Sequence, residues 1–130
     1  MPKQLEYTLM VLGEMHGGAP GELFAARALC GKLDIPFDVV SKALQRMKHA
    51  EIVRSVQGKY GGYQVIRDLG KLQMSELAEV VVGPNAIAAC LVPGQSCNRS
   101  PSCTILRAVR QLDQRFQQLL ADTTVLELIG

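Results

Sequence analysis

No uninterrupted apolar run in this chain approaches the ~20 residues needed to cross a bilayer, although 48% of its residues are apolar. The opening stretch from Met1 to Glu6 also lacks the apolar core of a secretory signal. These absences lead us to expect a soluble, cytoplasmic protein with no membrane partner. Its four cysteines are then expected to be kept as thiols for ligation or redox chemistry rather than as a disulfide framework. No nucleophile-base pair or phosphate-binding loop is visible, and the Gly61-Gly62 pair is not part of a Walker sequence, so an enzyme is not expected. A Cys-x-x-Cys knuckle is missing as well. Six and then five residues separate Cys90, Cys97 and Cys103, intervals too long for the paired knuckles of most structural zinc modules.

A net charge of +2 is too small to announce a nucleic-acid partner, but the charge is unevenly placed. Between Ser41 and Tyr60 stand Lys42, Arg46, Lys48, Arg54 and Lys59 against the single acid Glu51. Any small domain can carry a solvated charged face, so the order of elements around this basic window has to decide what it means. With 130 residues, one domain plus an accessory helix can be built, burying roughly two thirds of the surface that the unfolded chain exposes.

Leu5, Leu9 and Leu12 predict a first helix over Gln4 to His16, stopped by Gly17-Gly18-Ala19-Pro20-Gly21. Phe24, Ala28 and Leu29 predict a second helix from Leu23 to Lys32. Pro36 suits the first turn of a third, whose core stripe is Val39, Val40, Ala43, Leu44 and Met47. Two helices joined by a short turn, the second polar on its outer side, form a helix-turn-helix pattern. Ile52 to Val56 and Tyr63 to Ile66 then read as a hairpin around the glycine-rich turn Gln57 to Gly62. Met74 to Val82 is a fourth helix. From Thr104 onward, Ile105, Val109, Leu112, Phe116 and Leu119 recur at spacings of four, three, four and three, a coiled-coil-like seam suited to pairing between subunits. Thr124 and Glu127 form a start box for a closing helix at Val125 to Ile129. The expected fold class is mainly α with a small β-hairpin. It comprises a winged helix-turn-helix DNA-binding domain (1–83), a cysteine-bearing loop (84–103), and a C-terminal dimerisation helix with a short last helix (104–130), assembled as a homodimer.

Three features carry a resemblance that spans almost the whole chain: Glu6-Tyr7-Thr8-Leu9 in the first helix, Ile35-Pro36 before the third, and the wing string Arg54-Ser55-Val56-Gln57-Gly58-Lys59-Tyr60-Gly61-Gly62-Tyr63. With the three spaced cysteines, the chain resembles the IscR/NsrR/RirA family of bacterial transcription regulators. The resemblance implies a winged-helix homodimer that binds pseudo-palindromic double-stranded DNA, in the role of a repressor. It also implies an iron-sulfur cluster, 2Fe-2S or 4Fe-4S, that reports on iron, nitric oxide or redox state, with Cys90, Cys97 and Cys103 as ligands.

Some relatives complete the ligand set with a histidine three residues after the last cysteine, but Leu106 stands there. In others a carboxylate just before the first-helix tyrosine reaches over from the partner subunit, and Glu6 occupies that place. A solvated glutamate at a helix start is the plain alternative. His16 and His49 are further possible ligands near helix ends. Cys30 reads as a small buried residue.

A recognition helix reads base edges with its N-terminal polar residues, here Asp38, Ser41 and Lys42, followed by Gln45 and Arg46. In the wing, Gln57 replaces an arginine found in many relatives, and Lys59 at the tip is the expected phosphate contact. The rival readings are a winged repressor that uses the thiols directly or binds zinc, without a cluster, and a winged domain that serves only protein interaction.

Overall fold

The computed structural model describes residues 1–84 and 103–130. Within these, the chain forms α1 (Lys3–His16), α2 (Ala26–Leu33), α3 (Phe37–His49), β1 (Val53–Val56), β2 (Gly62–Val65), α4 (Met74–Val81), α5 (Leu106–Asp122) and α6 (Val125–Ile129). The fold is mainly helical with one two-stranded antiparallel sheet.

The helix-turn-helix is α2 and α3. Its turn is closed by Asp34, whose left-handed backbone (φ 55°) suits a short polar side chain, and by the Ile35 amide, which donates to the Cys30 carbonyl at 3.2 Å. Pro36 precedes α3 as its N-cap residue, where its fixed φ fits and no amide hydrogen is lost.

One stretch differs from the sequence expectation. Leu23 to Ala25 are not helical, because Phe24 pairs in extended conformation with Tyr63 of β2: each amide donates to the other's carbonyl at 2.8 Å. The wing is thus laced to the entry of α2. Its glycines follow from this closeness, since a Cβ on Gly62 would stand 2.7 Å from the Phe24 carbonyl oxygen and one on Gly61 only 2.0 Å from that of Val56.

The core lies between α1, α3, α4 and β1. Val11 and Leu12 of α1, Val40, Leu44 and Met47 of α3, Ile52 and Val53 at the start of the wing, and Leu72, Met74 and Leu77 around α4 are all fully buried. Each such side chain contributes roughly 1.5–3 kcal/mol through burial. The closing helix joins the same core through Val125, which is also fully buried. The predicted start box is present: Thr124 Oγ1 accepts from the Glu127 amide at 3.3 Å, and the Glu127 carboxylate accepts from the Thr124 amide at 2.6 Å.

By contrast, α5 has no buried residue. Its 17 residues span about 26 Å, and the seam residues Ile105, Leu112, Phe116 and Leu119 all face solvent in the single chain. The domain holds α5 at its C-terminal end, where the Met74 amide donates to the Thr123 carbonyl and the Val125 amide to the Leu72 carbonyl, both at 2.8 Å.

Candidate DNA-binding surface and thiol centre

α3 divides cleanly into two faces. Val40, Ala43, Leu44 and Met47 are buried, while Asp38, Lys42, Gln45 and His49 are exposed at spacings of four, three and four, which puts them on one outward stripe. Ser41 is half-buried at the edge of this stripe. His49, a possible ligand from sequence, stands on the same polar stripe as Asp38, Lys42 and Gln45. The signal that locates it is its register with those three residues.

Arg46 is placed differently from its neighbours. Its Nη1 donates to the Val81 carbonyl at 3.0 Å, one of the last carbonyls of α4, which no residue of that helix can satisfy. Arg46 therefore ties α3 to α4 while its remaining donors stay at the surface. Asp38, Lys42 and Arg46 line a shallow groove with Gln4 of α1 and Val81.

The wing presents Gln57 and Lys59 to solvent. Tyr60 is 83% exposed at the tip, with the Lys59 ammonium 5.6 Å from its ring centroid, so it does not brace the hairpin. Tyr63 does, half-buried and paired with Phe24. Arg54 and Gln64 stand directly opposite in the ladder, and the Arg54 Nε donates to the Gln64 Oε1 at 2.6 Å. Among the described residues, none of the five cations of the basic window forms a salt bridge. No ion pair holds their charge on the α3 and wing side, which leaves it available to a polyanion partner.

Elsewhere the charges are paired. Lys32 of α2 contacts Glu14 of α1, and the Glu14 carboxylate holds the lysine ammonium above its ordinary pKa. Arg67 grips both carboxylate oxygens of Glu76 at 2.7 and 3.0 Å.

Of the sequence-predicted ligands, Cys90 and Cys97 lie outside the described residues. Cys103 is half-buried, immediately ahead of α5, and its thiol is free. Glu6 is half-exposed and paired with Lys3 at 3.4 Å. Cys30 is half-buried and its thiol donates to the Arg27 carbonyl at 3.1 Å. His16 and His49 are exposed. Among the described residues, no three His, Cys, Asp or Glu side chains converge on a metal-sized site. Three thiols on one short segment fit soft iron by donor chemistry.

The order of these parts, a laced winged unit, a cysteine segment and an uncovered amphipathic helix, matches the profile of the Rrf2 family, described as iron-dependent transcriptional regulator, over residues 1–130. The chain belongs to the Rrf2 family. It is a transcriptional regulator of the family's winged-helix fold and not an enzyme. This Rrf2 protein is similar to the HTH-type transcriptional repressor NsrR of Streptomyces coelicolor, at 26% identity over 124 residues that cover 95% of this chain and 81% of that protein. Its fold is similar to that of CymR, the global cysteine regulator of B. subtilis, with a TM-score of 0.70 at 17% identity, covering 99% and 95% of the two chains. It is also similar in fold to T. potens IscR, with a TM-score of 0.68 at 13% identity, covering 99% and 85%. Among the described residues, no helix is long and apolar enough to cross a membrane.

Proposed function

We propose that this Rrf2 protein is a homodimeric repressor whose affinity for a pseudo-palindromic operator is set by an iron-sulfur cluster. Cys90, Cys97 and Cys103 would hold the cluster, with Glu6 of the partner subunit as the fourth ligand. The observation that carries this reading is the position of Cys103: it stands at the foot of α5, an amphipathic helix with no buried residue. A ligand held at Cys103 thus lies at the start of the helix that pairs the subunits. When bound, the cluster supplies a centre that reacts with oxygen, nitric oxide or peroxide.

The chain's own residues do the rest. The seam Ile105, Leu112, Phe116 and Leu119 pairs with its copy and sets the separation of the two α3 helices, on the order of 34 Å for half-sites one DNA turn apart. On each subunit Asp38, Ser41, Lys42 and Gln45 meet base edges, while Arg46 and Lys59 hold phosphates. Gln57 enters the minor groove with neutral hydrogen bonds only. To ligate, Glu6 must leave Lys3, which costs little because a surface pair contributes only about 0–1 kcal/mol. A coupling of about 1–3 kcal/mol between ligation and dimer geometry changes operator affinity 5- to 150-fold.

Anaerobic purification tests the cluster. Iron and acid-labile sulfide in the wild type, absent from a Cys90, Cys97 and Cys103 to Ala triple variant, should accompany at least a 5-fold difference in operator affinity. Equal affinities would eliminate the sensing role, and a colourless wild type with stable DNA binding would move sensing to the thiols themselves. On the DNA side, Lys42→Ala should relax base preference. Lys59→Ala should weaken binding to every sequence and flatten the salt slope by about one per subunit in contact.

A further inference from the structure

Arg27 is the second residue of α2 and sits where the aligned peptide dipoles of the helix leave positive potential. The N-cap of α2, Ala25, offers no side-chain cap, and the first turn holds no acid. Among the described residues Arg27 has neither a salt bridge nor a side-chain hydrogen bond. Its guanidinium carbon lies 4.5 Å from the ring centroid of Phe37. Phe37 is the first residue of α3, directly before Asp38, and is 42% exposed.

The pair joins the N-terminal ends of both helices of the helix-turn-helix. In the isolated subunit it achieves little: the cation opposes the helix dipole, and the aromatic ring stays in water. A guanidinium over a ring face keeps its hydrogen-bond donors at its edge, free for a ligand. With the positive ends of two helices beside it, the matching ligand is an anionic oxygen. Here that oxygen comes from double-stranded DNA, because the stripe Asp38, Lys42, Gln45 starts one residue from Phe37.

We propose that Arg27 anchors the DNA complex by gripping a phosphate at the rim of the major groove that α3 enters, with Phe37 as the residue that positions it. The proposal rests on the DNA-binding reading given above. Phe37 acts only through Arg27.

The probe is a mixed-sequence duplex of about 30 base pairs, titrated with the full-length protein at several salt concentrations. Arg27→Ala should weaken binding to all sequences and reduce the magnitude of the salt slope by about one per subunit in contact. Arg27→Lys should keep the slope but lose affinity, since an ammonium cannot reproduce the planar fork. Phe37→Leu should weaken binding in the wild-type background and have no further effect on DNA affinity in the Arg27→Ala background. A Phe37→Leu effect of the same size in both backgrounds would remove its positioning role. An unchanged salt slope for Arg27→Ala, in a protein whose slope does fall with Lys59→Ala, would overturn the anchor while leaving the DNA-binding reading intact. Absence of any salt-dependent binding by the wild type would overturn both.

Discussion

α3 and α5 are built to the same rule and end in opposite situations. Each carries apolar residues at spacings of three and four with polar residues between. α3 buries Val40, Ala43, Leu44 and Met47 in its own domain and turns its polar stripe to solvent. α5 has no fully buried residue: Leu120 packs against the core, but Leu112 and Leu119 are more than half exposed. Periodicity states that a helix has an apolar face, not what covers it. For α3 the cover is folded from the same chain. For α5, the cover proposed above is a second copy of the seam, which suits a narrow stripe of this kind.

The comparison can be broken most directly in the two apolar faces. Leu44→Ala in α3 should lower unfolding free energy by about 2–5 kcal/mol, read from urea denaturation, and abolish DNA binding with it. Leu112→Glu in α5 should instead leave the fold intact, shift the protein to monomer in sedimentation, and remove the concentration dependence of the unfolding midpoint expected of a dimer. A Leu112→Glu variant that stays dimeric, or that unfolds as readily as Leu44→Ala, would mean that α5 spends its apolar face inside its own domain. A smaller effect is expected where α5 meets the core: Thr124→Ala removes the cap of α6 and should cost about 1 kcal/mol, with earlier hydrogen exchange at Val125 to Ile129.

The smallest effect concerns the pairing of α1 with α2. Glu14 raises the pKa of Lys32, so the folded state favours the protonated lysine. Its contribution is therefore complete below the ordinary lysine range and lost as pH rises through the elevated value. The melting temperatures of wild type and Lys32→Met should differ slightly and constantly near neutral pH, then converge in strong alkali. A difference that grows with alkalinity would show that the pair does not act through the ammonium.

Much of this was legible in the chain. The three helices of the winged unit, the hairpin, the long helix and the start box of α6 follow from spacing, glycine and capping chemistry. Leu23 to Ala25 did not, because an extended residue before a helix satisfies the same apolar spacing as a first helical turn. Only the distant Tyr63 reveals that Phe24 is a strand partner. Arg46 shows a similar gap: a basic window counts charges but cannot tell that one guanidinium is bonded to the Val81 carbonyl, 35 residues away. Arg27 escaped notice because it lies outside that window and its partner is a ring rather than a charge. The ligand set was legible only as residue types, since Cys90 and Cys97 lie outside the described residues.

The backbone bonds at Thr123 and Val125 give α5 a mechanical character of its own. Fastened at its C-terminal end, with Leu120 against the core and Leu112, Phe116 and Leu119 exposed, it is a lever with its fulcrum at Thr123. Each degree of tilt about that point displaces the Leu106 end by about half an ångström, given a helix of about 26 Å. A rearrangement at Cys103 of a few ångströms therefore corresponds to only several degrees at the fulcrum, small enough for Val125 to stay seated. The working end of the lever adjoins the thiol, and its pivot is fixed in the same core that carries α3.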